Sequence, residues 1–166
     1  MIIREEQHSD IESITRVTDS AFANKAYSSG TESFIIHALR AEGALSLSLV
    51  AETDGQIAGH VAFSPVTISD ESADWYGLGP VAVLPELQKR GIGKALIREG
   101  LNRLRSLGAQ GCVLLGDPNY YTRFGFANTP DLILEGFPPE YFLAVPFADR
   151  TAQGTVLFHP AFSAHE

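Results

Sequence analysis

The chain has a single cysteine, Cys112, so an internal disulfide is excluded and stability must come from the core, as suits a reducing cytoplasm. No apolar run approaches the roughly 20 residues of a membrane span. The N-terminus, Met1-Ile2-Ile3-Arg4-Glu5-Glu6, lacks the basic-then-apolar order of a secretory signal, so a cytoplasmic location and no membrane partner are expected. Positive charge is scarce: 12 Lys and Arg against 20 Asp and Glu leave a formal net charge of −8. With no basic tract to offset it, nucleic acid is not expected as a partner. An acidic field favours a cationic or amine-bearing substrate instead. The five histidines are scattered, none paired at ligand spacing, so no metal site is expected. Repeats and low-complexity linkers are missing too.

What is present is an ordinary globular composition, 45% hydrophobic and 19% charged over 166 residues, enough for one domain with a full core. Ile2–Arg4 reads as a first strand. Ser9-Asp10-Ile11-Glu12 has capping-box spacing, and Ile11, Ile14, Val17 and Phe22 continue a helical face. A loop at 25–30 leads to a second helix carrying Phe34, Ile35, Ala38 and Leu39, stopped by Gly43. Strands are expected at 45–52 and 56–69, joined by a hairpin turn at Asp54-Gly55. A fourth strand covers Trp75–Val83, and Pro80 within it requires an edge, a bulge or a splay. A helix over 92–107 turns Ile92, Leu96, Ile97, Leu101 and Leu104 inward. A buried strand at 112–115 follows, parallel to the fourth by the usual crossover. A short helix or turn covers 119–124, and strands are plausible at 132–134, 141–145 and 155–158. The sum is an α+β chain, a mixed sheet with helices on both faces.

One junction carries chemistry. The β-branched run Val81-Ala82-Val83 passes through Pro85 and Gln88-Lys89-Arg90-Gly91-Ile92-Gly93-Lys94 straight into a helix. Backbone N–H groups at such a junction face outward at the positive end of the helix dipole, which suits an anion. A P-loop is excluded because Gln88 stands where its first glycine belongs and Ala95 where its hydroxyl belongs. A dinucleotide fingerprint is excluded by Leu96 in place of the third glycine.

The spacing Gln-x-x-Gly-x-Gly, here Gln88, Gly91 and Gly93, resembles the acetyl-CoA pyrophosphate loop of the GNAT acetyltransferase superfamily. Tyr121-Thr122-Arg123-Phe124-Gly125-Phe126 is similar to that superfamily's Tyr-x-x-x-Gly-Phe segment after the fifth strand. With Gly116-Asp117-Pro118-Asn119-Tyr120 before it, the segment resembles a bacterial group of predicted N-acetyltransferases. The resemblance implies the GNAT acyl-CoA N-acyltransferase fold over residues 1–147, its sheet splayed after the fourth strand, with residues 148–166 as an extension adding a strand. It implies acetyl-CoA as cosubstrate. Val81, Ala82 and Val83 would take the pantetheine arm, and Gln88, Lys89, Arg90, Gly91, Ile92, Gly93 and Lys94 the pyrophosphate. Asn119 and Tyr121 would lie beside the cofactor. The implied reaction is acetyl transfer to a primary amine of a small molecule or peptide by direct attack. Tyr121 would be the acid that protonates the CoA thiolate, with its neighbour Tyr120 as the alternative.

The fourth strand, Gly77-Leu78-Gly79-Pro80-Val81-Ala82-Val83, has no titratable side chain where many relatives carry a carboxylate. His60, on the third strand, is therefore the candidate base, against the plainer reading of a satisfied core histidine. Glu32 and Asp117 are further candidates. The acceptor is expected among Tyr27, Trp75, Tyr76, Phe137 and Tyr141, and the strand at 155–158 offers an edge for a homodimer. The competing reading is a non-catalytic acyl-CoA-binding or sensing domain that kept the loop and lost turnover.

Overall fold

The computed structural model describes residues 1–149 and 152–165. Twelve elements form the fold in chain order: β1 Ile2–Glu5, α1 Ile11–Phe22, α2 Glu32–Ala41, β2 Leu47–Thr53, β3 Gln56–Ile68, β4 Trp75–Val83, α3 Ile92–Ser106, β5 Gly111–Leu115, α4 Pro118–Tyr121, β6 Leu132–Ile133, β7 Phe142–Pro146 and β8 Gly154–Phe158. The main sheet runs β1-β2-β3-β4-β5-β7, and all its neighbours are antiparallel except β4 and β5. The mixed sheet with helices on both faces is as expected, with boundaries moved by one or two residues. Asp54 and Gly55 both take positive φ, 51° and 75°, as a tight hairpin turn requires.

The start of α1 differs from the expected Ser9–Glu12 capping box. The Asp10 carboxylate is drawn to the Arg4 guanidinium, 2.7 Å away, and also accepts the Gln7 backbone N–H at 2.7 Å. Gln7 therefore becomes the cap of a 3₁₀ turn, His8–Asp10, that precedes the α-helix. A long-range ion pair has overridden the local capping pattern.

Two apolar layers cover the sheet. On one face α3 buries Leu96, Ile97 and Leu104 against Leu49, Phe63, Leu114 and Phe126. On the other, α1 and α2 bury Ile14, Val17 and Ile36 against Val50, Ile57 and Ala82. Each such fully buried aliphatic side chain contributes about 1.5–3 kcal/mol. Gly100 allows α3 its close approach: a Cβ there would lie 2.3 Å from the Phe63 ring.

Pro80 is accommodated by a bulge. Val61 pairs with Val81 but Phe63 with Leu78, so Gly79 and Pro80 together span the place opposite Ala62. β4 keeps its β3 partner through Val83, whereas its pairing with β5 covers only Trp75–Gly77. Beyond Gly77 the two parallel strands diverge. The 155–158 segment is used within the chain: Val156–Phe158 pair with Val66–Ile68 of β3, and Gly154 and Thr155 pair with β6.

Candidate active site

The divergence of β4 from β5 opens a cleft of about 540 Å³. The Leu84 N–H bonds Ala58 O on β3 at 2.9 Å, so by strand alternation the N–H and C=O groups of Val81 and Val83 face the open side. Val81 and Val83 line the cleft, while Ala82, between them, turns its methyl into the α1–α2 layer. The open edge is a row of backbone donors and acceptors ready for an extended, amide-bearing ligand.

The loop after β4 makes the floor. Lys89 and Gly91 both adopt left-handed φ, 65° and 88°. Gly91 is the N-cap of α3 and has no side chain to satisfy the first helical N–H groups, which leaves them for an anion. Gln88, Lys89, Gly91, Ile92, Gly93 and Lys94 all border the cleft, and Arg90 does not. Gln88 does more than border it: its Nε2 donates to Val83 O at 3.0 Å, tying the loop to the open strand.

The opposite wall is α4 and the turn Thr122–Phe124. Asp117 caps α4 by accepting the Asn119 N–H at 2.9 Å, and Asn119 itself stays outside the cleft. Tyr121 lies against Gly116, where a Cβ would come within 2.5 Å of its ring, and edge-on to Tyr120 and Phe126 at centroid separations of 5.0 and 6.0 Å. Burial pushes its phenol up to about 12, helped by the neighbouring Tyr120 and Tyr27 hydroxyls. Tyr121 is thus a protonated donor at neutral pH. The Tyr120 hydroxyl points elsewhere, 3.7 Å from where a Gly93 Cβ would be, at the start of α3. Burial raises its pKa too, against the pull of Arg123 and Arg98.

The sequence-level expectation missed part of this site. Ala21 and Phe22 from the end of α1, Lys25 from the following loop and Arg123 from the turn after α4 also line the cleft. Lys25, Lys89, Lys94 and Arg123 bring four cations to its lining, which contains no carboxylate. Of the expected acceptor aromatics only Tyr27 reaches the cleft. Trp75 is 3% exposed and belongs to the layer beneath β8, because Gly111 leaves its indole room to turn inward.

His60 is not brought to the cleft. It is fully buried on the α1–α2 face, with Nε2 2.7 Å from Ser48 Oγ, and Ser48 in turn hydrogen bonds Glu6. Glu6 is ion-paired with Arg40 at 2.9 Å. Burial lowers the imidazole pKa to about 4, outweighing the Glu6 charge that raises it, so His60 is neutral at neutral pH. Neither Glu32, bonded by the Ser28 hydroxyl at 2.7 Å, nor Asp117 lines the cleft.

A parallel strand pair that diverges beside outward-facing backbone groups, above an uncapped helix N-terminus, defines the class of acetyltransferase-like folds. A model of the acetyltransferase (GNAT) family matches residues 11–126, and the chain belongs to that family. It is 51% identical to a GNAT family acetyltransferase from Brucella melitensis, solved in complex with acetyl-CoA, with a TM-score of 0.87 over 98% of this chain and 97% of that one. It is 34% identical to the YhbS N-acetyltransferase of Escherichia coli, solved with CoA, also with a TM-score of 0.87, over 99% and 93% of the two chains. Sequence comparison with YhbS of E. coli K12, described as an uncharacterized N-acetyltransferase, gives 42% identity over 107 residues. That match spans 64% of this chain and 64% of the relative, less than two thirds of its length.

Proposed function

We propose that the protein is an acetyl-CoA-dependent N-acetyltransferase acting on a primary amine of a small molecule or peptide. The observation that carries this reading is the open β4 edge leading from the uncapped α3 N-terminus to a half-buried, protonated Tyr121. The residues present fit the cofactor: Val81 and Val83 for the amides of its arm, the Gly91–Lys94 backbone with Lys89 and Lys94 for its pyrophosphate. The complexes of the Brucella and YhbS relatives with acetyl-CoA and CoA support the same assignment.

When bound, acetyl-CoA supplies a thioester carbonyl carbon for the amine nitrogen and a thiolate as leaving group. The Val81 N–H and its neighbours on the open edge polarise that carbonyl, a contribution of about 3 kcal/mol in comparable donor sites. Tyr121 gives the proton of its hydroxyl to the departing sulfur as the carbon–sulfur bond breaks, and regains a proton from solvent. The cleft lining holds neither carboxylate nor histidine, so the amine's own proton leaves through water at the open mouth. His60 does not line the cleft and has no part in the proposed reaction.

Calorimetric titration with acetyl-CoA tests the reading. Wild-type protein should bind, and Gly91→Asp should abolish binding by placing a strained, anionic side chain at the left-handed N-cap. An amine screen monitored by free thiol release then separates a catalyst from a domain that only binds. Binding without thiol release from any amine would favour the non-catalytic alternative.

A further inference from the structure

Beside the cleft, on the flank of α3, lies a second, smaller groove of about 230 Å³ that the reaction above does not use. Arg98, Leu101, Asn102 and Arg105, at helical spacings of three and four, form one wall, and Arg123 and Phe124 form the other. Three arginines therefore face one groove in a chain of net charge −8. None of the three ion-pairs with a carboxylate among the described residues, although Arg103 on the same helix pairs with Glu99 at 2.9 Å.

Each of the three guanidinium groups is laid on an aromatic ring instead. Arg98 stands 5.5 Å from the Phe124 centroid, Arg105 4.7 Å from Phe147 and Arg123 4.6 Å from Tyr120. Arg123 is further fixed by its Nε–H donating to Tyr120 O at 2.7 Å. Stacking holds a guanidinium plane and leaves its edge N–H donors outward, the presentation that suits a phosphate. Like charges gathered in this way repel one another unless an anion joins them.

Arg123 lines both the cleft and the groove, so the two adjoin across its side chain. We propose that the arginine groove receives the ribose 3′-phosphate of coenzyme A, and so makes the protein select the phosphorylated cofactor over its dephospho form. This inference rests on the acetyl-CoA reading above. The pyrophosphate is already served by the α3 N-terminus, Lys89 and Lys94, which leaves the arginines for a second, separate charge. A phosphomonoester with a second pKa near 6 is a dianion at neutral pH and offers three acceptor oxygens.

Calorimetric binding of CoA and dephospho-CoA to the full chain, at low ionic strength, tests it. Wild-type protein should bind CoA about 10-fold or more tighter. Arg98→Ala and Arg105→Ala should each erode that preference while leaving dephospho-CoA affinity near the wild-type value, which also shows that the variants are folded. Arg103→Ala, on the other flank of α3, should keep the preference. Equal affinities in wild-type protein, or a preference that survives both Arg98→Ala and Arg105→Ala, would overturn the proposal. Failure of CoA itself to bind would instead bring down the acetyl-CoA reading.

Discussion

Two adjacent tyrosines with the same chemistry are given different surroundings by the fold. Tyr121 is packed on Gly116 and Phe126 with its hydroxyl pushed up to about 12, whereas the Tyr120 hydroxyl sits at the head of α3 beside Gly93. Tyr121→Phe should therefore lower kcat by about 10²-fold or more with little change in acetyl-CoA affinity. Tyr120→Phe should act mainly on affinity. Steady-state rates with a good amine, alongside direct cofactor binding, separate the two; wild-type turnover in Tyr121→Phe would remove the acid assignment. Because its pKa is raised rather than lowered, Tyr121 should stay protonated, and the wild-type rate should show no fall from its ionisation up to about pH 10.

At the scale of elements, α3 combines close packing with an N-terminus left without a side-chain cap. Its middle is pressed on β3 through Gly100. Gly100→Ala adds a methyl carbon within 2.3 Å of Phe63, a buried ring with little room to withdraw. Helix propensity alone would favour alanine by about 1 kcal/mol. Overpacking costs about 1–3 kcal/mol, so net destabilisation is expected in chemical denaturation, with Phe63→Leu restoring part of it. Stabilisation by Gly100→Ala would show that α3 is free to move away from the sheet.

The elements were also the most legible part of the chain. β4 could be bounded at Trp75 and Val83, and Pro80 marked as irregular, because a β-branched run and a missing N–H are local facts. The phosphate-type loop was legible for the same reason, being contiguous from Gln88 to Lys94. The far wall was not. Phe22, Lys25 and Arg123 reach the cleft only because α1 and α4 are folded beside it, and no spacing in the sequence encodes that. The site of His60 was illegible in another way: alternation says that a strand residue takes one of two faces, but which helices cover that face is a tertiary matter. The capping pattern at Ser9–Glu12 was misleading because Asp10 had a stronger partner in Arg4, six residues away in sequence.

For the whole molecule, the same polar connections that tie β1, β2 and α2 to the sheet make stability depend on pH. His60 is buried and neutral, its pKa lowered from 6.5 to about 4. The unfolded chain binds a proton there below pH 6.5 while the folded chain does so only near pH 4, so stability is full above about 6.5 and declines as pH falls between the two values. The loss over that window is on the order of 3 kcal/mol. Glu6 and Asp10 act lower on the scale and with the same sign. Burial alone would raise Glu6, but hydrogen bonds from Arg40 and Ser48 bring it below its ordinary value, and Asp10 is held low by its hydrogen bonds with Arg4. Their contribution is present above the usual carboxylate range and is lost as pH falls through their lowered values. Denaturant unfolding across pH 8 to 4 should thus show a plateau followed by a decline starting near 6.5. His60→Gln, which keeps a side-chain amide opposite Ser48, should flatten the part between 6.5 and about 4.5 and leave the steeper carboxylate limb below it. An unchanged slope in that variant would mean that some other group titrates there and that His60 is not held neutral by the fold.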